Sequence, residues 1–180
     1  MPNRLLLPPY SEVKHFEGLG NYAIKRYYQF PFLMFYRKKL KMILSHLQDK
    51  KYDSILDFGC GRAEILRETL SQYSDDVDYV DTEHDLKDKK YDVITCSSVL
   101  EFMSLKFIVP RLNGLLKKDG MLIGASPMNT LLTEFYFHII GDVSFRNTEV
   151  DIMNSLRKHM FVVRHEKWAE LYFSFKAYKK

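Results

Sequence analysis

The chain is poor in the residues that staple small secreted or metal-dependent domains. It has two cysteines, Cys60 and Cys96. Two cannot build a disulfide framework, and no Cys/His spacing resembles a zinc site. A reducing, cytoplasmic setting without a bound metal is the expectation. No run reaches the roughly 18 apolar residues that a membrane helix needs. The opening MPNRLLLPPYSE has three leucines before Pro8-Pro9, too few for a signal-peptide core. Repeats and low-complexity tracts are absent, and without a Gly-Lys-Ser/Thr there is no P-loop. Strong charge of one sign is missing too: a net charge of +4 falls short of a nucleic-acid-binding signature. What remains is 46% hydrophobic and 28% charged, the balance of a globular protein. Its 180 residues suit one domain with its own core and not two.

The pattern along the chain gives that single domain, 1–180, an N-terminal cap and helix over 1–50 and an α/β core over 51–180. Pro2, Pro8, Pro9, Gly18 and Gly20 punctuate the start, among Tyr10, Phe16, Tyr22, Tyr27, Tyr28 and Phe30. Pro31 suits a first helical position. Phe32, Tyr36, Leu40, Ile43 and Leu47 then recur at helical spacing, which predicts a helix over 31–48. The cluster Arg37, Lys38, Lys39 and Lys41 reads as its solvated face. Beside FPFLMFY it also suits a membrane surface or an anionic acceptor. Short strands follow at SILDF, VDYVD (77–81), YDVITCS (91–97) and MLIGAS (121–126), alternating with helices at 62–73 and 105–117. Ser104 is the expected cap and Asp119-Gly120 the expected stop of the second helix. Residues 127–146 form an aromatic cap insertion. A helix at 147–159 opens on the half-complete capping pattern Asn-x-x-Val, and 160–168 and 171–179 close the chain as strands. This alternation predicts a doubly wound, mostly parallel α/β sheet with one of the last strands antiparallel.

YDSILDFGCGRAEIL, residues 52–66, is the stretch that raises a chemical question. A strand ends on a carboxylate and is followed at once by Gly-Cys-Gly. Two glycines permit a sharp turn, and they also let a ligand approach backbone without meeting a Cβ. Amides at a following helix start can hold an anion. Asp57 ends the strand, Asp81 ends the next one about 20 residues past the glycines, and a third strand runs into small polar residues. An acid at Asp81 can take two ribose hydroxyls. A dinucleotide fingerprint is excluded, because Glu64 stands where the third glycine belongs.

At this point the chain resembles the class I S-adenosylmethionine-dependent methyltransferases, in particular the small type 11 group. ILDFGCGRA is similar to that family's first motif, with Ala63 in place of its last Gly, and Asp81 matches the acid after the second strand. YDVITCSSVLEF resembles the motif that runs to Leu-Glu-His, with Phe102 replacing the His. LNGLLKKDGMLIGASP resembles the later helix-strand pair. The likeness covers residues 52–127. It implies a Rossmann-like fold and S-adenosyl-L-methionine as cofactor. The implied contacts are Gly59, Cys60 and Gly61 at the methionine part, Asp57 at its amino group and Asp81 at the ribose. Asp85 and Leu86 would lie near the adenine, and backbone at Cys96 and Ser97 at the methionine end. The link from Asp81 to Tyr91 departs from the family. Its nine residues, seven of them charged or His, leave no room for the usual helix and strand. The sheet is therefore expected to lack one edge strand, with 77–81 at its edge.

The methyl acceptor is expected to be a small molecule, lipid-like or glycan-like, because the cap segments are aromatic and not strongly basic. Nucleic acid is not expected as a partner. Glu101 and His138 are the catalytic candidates. Glu101 is balanced against a solvated or salt-bridged acid, and His138 against a histidine at the core edge. Two other readings stay open: a non-catalytic methyltransferase-like partner subunit, and a membrane-surface module built on the helix at 31–48. The aromatic segments 10–36 and 127–146 should pack together over the carboxyl end of the sheet, outside the α/β core.

Overall fold

In a computed structural model of the chain, residues 4–16, 24–140 and 146–180 are described. Pro2, Gly18, Gly20 and Tyr22, singled out above, lie outside them. The described helices are α1 Tyr10–Val13, α2 Ile24–Tyr27, α3 Phe32–Leu44, α4 Arg67–Leu70, α5 Leu105–Leu115, α6 Leu131–Ile140 and α7 Glu149–His159. The strands are β1 Ile55–Phe58, β2 Val77–Val80, β3 Tyr91–Ser97, β4 Leu116–Pro127, β5 Met160–Trp168 and β6 Tyr172–Lys179.

They form one open sheet in the order β2-β1-β3-β4-β6-β5. The first four strands run parallel, β6 is antiparallel to β4, and β5 is antiparallel to β6. The lone antiparallel strand is thus β6. Strand β2 is the sheet edge, as the polar link 82–90 requires: that link holds one 3-10 turn, Glu83–Asp85, and Lys89 bridges back to Asp76 and Asp78. Lysine-held acids on and just before the outer strand blunt an edge that could otherwise pair with another chain.

Side chains alternate between the faces of each strand. Leu56, Phe58, Ile94, Cys96 and Leu122 pack against α5 and α7. Ile55, Val93, Ile123 and Ala125 pack against α3, α4 and the N-terminal segment. Asp57 and Thr95 fall on the second face, one residue out of phase with Phe58 and Cys96. That alternation puts the carboxylate on the α3 side and the Cys96 thiol on the opposite one.

Four local expectations need correction. The chain after Gly61 makes successive turns and becomes helical only at Arg67, so no long helix spans 62–73. Helix α5 stops at Leu115 and β4 begins at once, because Leu116 already pairs with Tyr91; Asp119-Gly120 lies within the strand. Ser104 stands at the α5 N-cap but makes no side-chain capping bond. The α7 cap is Thr148, which with Asp151 completes a capping box. Asn147 instead donates its side-chain amide to the Leu100 and Met103 carbonyls, at 2.8 and 2.7 Å.

The N-terminal segment is no separate cap. Leu5, Val13 and Ile24 are buried in the same cluster as Leu40, Ile43, Ile55 and Leu70. The backbone of Leu6 exchanges two hydrogen bonds with the buried Thr69 hydroxyl, at 3.0 and 2.7 Å. Segments 10–36 and 127–146 do meet: Tyr136 of α6 sits against Phe32 and Phe35 of α3, with ring centroids 5.5 and 5.8 Å apart.

Candidate active site

The glycines after β1 have separate reasons. Gly59 has φ +75°, and its amide donates to the Val80 carbonyl at 2.7 Å. A Cβ there would stand 2.4 Å from the Val99 Cβ. The turn after β3 presses so closely that only glycine fits, whatever ligand is present. Gly61 has φ +63°, and its amide donates to Asp81 Oδ1 at 3.0 Å. The anion held at this turn is therefore the protein's own Asp81, which ties the end of β2 to the loop after β1.

Above this loop lies a cavity of about 250 Å³. It is near the lower end of small-molecule sites, roughly 300–1,000 Å³. Asp57, Gly59, Cys60, Gly61, Asp81, Ser97 and Glu101 all line it. The topology explains the convergence, since in open α/β sheets ligands sit beyond the carboxyl ends of the strands. Tyr27 of α2, Tyr36, Lys39 and Leu40 of α3, and Phe137 of α6 line the other side. Tyr27 stacks on Tyr36 with centroids 4.6 Å apart.

Four sequence candidates fall outside the lining. Asp85 is exposed and accepts a hydrogen bond from Thr82. Leu86 packs on the α5/α7 core. Cys96 is buried in that same core for the alternation reason given above. His138 is exposed on α6, one position from the lining residue Phe137. Burial pushes the thiols of Cys60 and Cys96 up, so both are protonated and neither is poised as a nucleophile.

Glu101 is the reverse case. Its side chain is about as buried as any in the core, at 1% exposure. Oε2 accepts from Ser126 Oγ at 2.9 Å, and Oε1 has no hydrogen-bond partner among the described residues. Its carbonyl accepts the amides of Arg146 and Asn147, at 2.9 and 3.0 Å. With the Asn147 side-chain bonds, these clamp the turn 98–103 and fix the carboxylate's direction. Ser98 in that turn has φ +53°, a strained conformation for a serine.

Lys39 is the residue that sequence reasoning misplaced. It is buried at 4% exposure, not on the solvated face. Nζ donates to Ser98 Oγ at 2.9 Å and lies 4.9 Å from the Tyr36 ring centroid. The signal was present in the spacing: Lys39 is seven residues from Phe32, three from Tyr36 and four from Ile43, inside the apolar stripe. Burial lowers the Lys39 pKa to about 8, against the pull of the Glu101 charge. Burial likewise raises Glu101 to about 7, opposed by Ser126, Lys39 and Ser98. Asp57 is raised to about 6 by burial, opposed by the Thr95 hydroxyl at 2.5 Å. Three carboxylates and one ammonium thus face the same cavity, an arrangement suited to a cationic ligand and to a proton leaving an acceptor near neutral pH.

No family model and no curated protein matches the chain. Solved structures do. The N-methyltransferase NodS from Bradyrhizobium japonicum WM9, in complex with S-adenosyl-L-homocysteine, is 13% identical with a TM-score of 0.59, over 94% of this chain and 97% of that one. The magnesium protoporphyrin IX methyltransferase ChlM from Synechocystis PCC 6803, with the same product bound, is 14% identical with a TM-score of 0.58, over 95% and 94%. The geranyl diphosphate C-methyltransferase from Streptomyces coelicolor A3(2) is 9% identical with a TM-score of 0.64, over 83% and 82%. At such identities it is the architecture that is shared: this chain has the Rossmann-like fold of the S-adenosylmethionine-dependent methyltransferases.

Proposed function

We propose that the protein is a methyltransferase that uses S-adenosyl-L-methionine and acts on a small, lipid-like or glycan-like acceptor. The observation that carries this reading is the shared cavity. The motif residues Asp57, Gly59, Gly61, Asp81 and Ser97 meet there with a clamped, buried carboxylate that has a free oxygen. The donor set fits the cofactor: carboxylates outnumber ammonium groups around the cavity, as a ligand with a sulfonium and an amino group requires. Asp81 would hold the ribose hydroxyls, and Asp57 the amino group. When bound, the cofactor supplies a methyl already activated by its sulfonium. What the chain adds is orientation, exclusion of water by Tyr27, Tyr36 and Phe137, and a proton acceptor. Glu101 Oε1 takes the proton from the acceptor's hydroxyl, amine or thiol. The Lys39 charge opposes the rise that burial imposes on that carboxyl, so that it titrates near 7 and is available as a base from neutral pH upward.

The test is calorimetric titration with S-adenosylmethionine and S-adenosylhomocysteine. Binding of both is the expected result. Failure of both to bind would leave the fold as a non-catalytic partner subunit. The same titration checks Asp81. A hydrogen bond to a charged group contributes about 1.5–3 kcal/mol, so Asp81→Ala should weaken cofactor binding roughly 10- to 100-fold. An unchanged affinity would remove Asp81 from the ribose site.

A further inference from the structure

The helix that lines the cavity with one face carries a different chemistry on the other. Met34, Arg37, Lys38 and Lys41 recur at i, i+3, i+4 and i+7 along the exposed side of α3. At its leading end Phe30 and Met34 are 85% and 53% exposed. With Leu33 and the three cations they line one shallow apolar depression. Among the described residues none of Arg37, Lys38 and Lys41 forms an ion pair with a carboxylate; Lys38 lies 5.9 Å from the Trp168 ring centroid. From residue 18 to residue 48 the sequence contains no Asp or Glu, while Lys25, Arg26, Arg37, Lys38, Lys39 and Lys41 supply six cations. Lys25 and Arg26 are exposed on α2, just ahead of this edge. The neighbouring α6, packed on α3 through Tyr136, exposes Leu131, Leu132 and Phe135, with Glu134 as its only acid.

We propose that this edge is a peripheral docking surface for an anionic membrane. The aromatic and aliphatic tip Phe30–Leu33–Met34 enters the acyl boundary, and Arg37, Lys38 and Lys41 meet the headgroup phosphates and carboxylates one to two turns behind it. Charge selects the occupant. A face with a row of cations, no acid and an apolar leading end matches an acidic lipid surface, whereas two copies of the same face would repel. No helix among the described residues is long and apolar enough to cross a membrane, so the contact is peripheral. The consequence concerns the cavity. Tyr36, Lys39 and Leu40 line it from the opposite face of the same helix. Docking therefore leaves the cavity about one helix diameter, roughly 10 Å, from the lipid.

Docking stands apart from the methyl-transfer reading, and its test needs no cofactor. The full chain is co-sedimented with phosphatidylcholine vesicles, with and without phosphatidylserine, at low and high salt. Binding to the phosphatidylserine vesicles alone, lost at high salt, is expected. A cation near an anionic surface contributes about five-fold to partitioning. The combined Arg37→Gln, Lys38→Gln, Lys41→Gln variant should thus bind roughly 100-fold more weakly. Phe30→Ser with Met34→Ser should weaken binding to the phosphatidylserine vesicles at low salt. Every substituted side chain is exposed, and circular dichroism checks that the variants fold. Equal binding to both vesicle types, no binding to either, or undiminished binding of both variants would overturn the proposal. So would a wild-type dimer in sedimentation equilibrium that Phe30→Ser, Met34→Ser splits, since a second copy would then be the occupant.

Discussion

Glu101→Gln is expected to slow methyl transfer by about 10²- to 10⁴-fold, the range a positioned proton acceptor supplies, while cofactor affinity stays within a few-fold of the parent. Glutamine keeps the volume and one acceptor for the Ser126 hydroxyl, so the clamped turn 98–103 should hold its shape. What is lost is the basic oxygen that has no hydrogen-bond partner among the described residues. In the parent, the acid limb of the pH–rate profile should fall near the Glu101 pKa of about 7. Lys39→Met should move that limb to higher pH, because the lysine's charge is one of the influences holding the carboxyl down. A second readout needs no acceptor. The Glu101 pKa is raised from an ordinary 4.5 to about 7 on folding. A raised carboxyl makes the folded state hold its proton more tightly. Its stabilising contribution is complete below the unfolded pKa and disappears as pH rises through the folded one. The parent should therefore lose stability relative to Glu101→Gln between pH 4.5 and 7, by about 3 kcal/mol at ~1.4 kcal/mol per pH unit. The difference between the two urea-unfolding curves isolates Glu101, together with the Lys39 whose charge it supports, from Asp57 and His46, which titrate in both proteins. Undiminished turnover in the variant would remove Glu101 from the chemistry; parallel stability curves would remove its pKa.

Local pattern reached further into the fold than into the site. Strand periodicity and the Gly-Cys-Gly turn were enough for the parallel sheet and for the end of it at which the cavity lies. The missing edge strand was legible because a buried strand needs apolar residues and 82–90 has one, Leu86. Strand β4 began earlier than its apolar run, since Leu116 belongs to the strand by pairing with Tyr91 and not by its own neighbours. The site was half legible. Asp57 and Asp81 sit at strand ends, where sequence spacing alone places them. Ser98, Ser126 and Asn147 are small polar residues whose meaning is their distance from Glu101, and no spacing reports that. Lys39 could have been found, because a lysine within an apolar stripe must either snorkel or meet a partner. Reading it with its three cationic neighbours as one solvated face hid it. His138 lies outside the lining because one step along an α-helix turns a side chain from cavity to solvent, and Asp85 because its 3-10 turn contributes no lining residue.

Deleting residues 1–28 should cost the protein its cooperative fold, not merely its lid. The segment contributes Leu5, Val13 and Ile24 at 7%, 2% and 2% exposure to the cluster that covers one face of the sheet. Burying a large aliphatic side chain contributes about 1.5–3 kcal/mol, so three of them represent on the order of 5–9 kcal/mol. A domain of this size has a total stability of about 5–15 kcal/mol. The deletion also strands the buried Thr69 hydroxyl, which is held by Leu6, and removes Tyr28, whose hydroxyl donates to Pro8 at 2.7 Å. Circular dichroism through a urea titration should show a shallow transition, or none, with exposed apolar surface at zero denaturant. Point substitutions separate the core role from the lid role within one segment. Val13→Ala lies outside the cavity lining and should lower stability by about 2 kcal/mol while cofactor affinity stays at the parent's value. Ile24→Ala removes a side chain that is both core and cavity wall, so it should lower stability and cofactor affinity together. A truncated protein that unfolds with the parent's midpoint would make the segment a detachable lid, with the sheet face beneath it stable on its own.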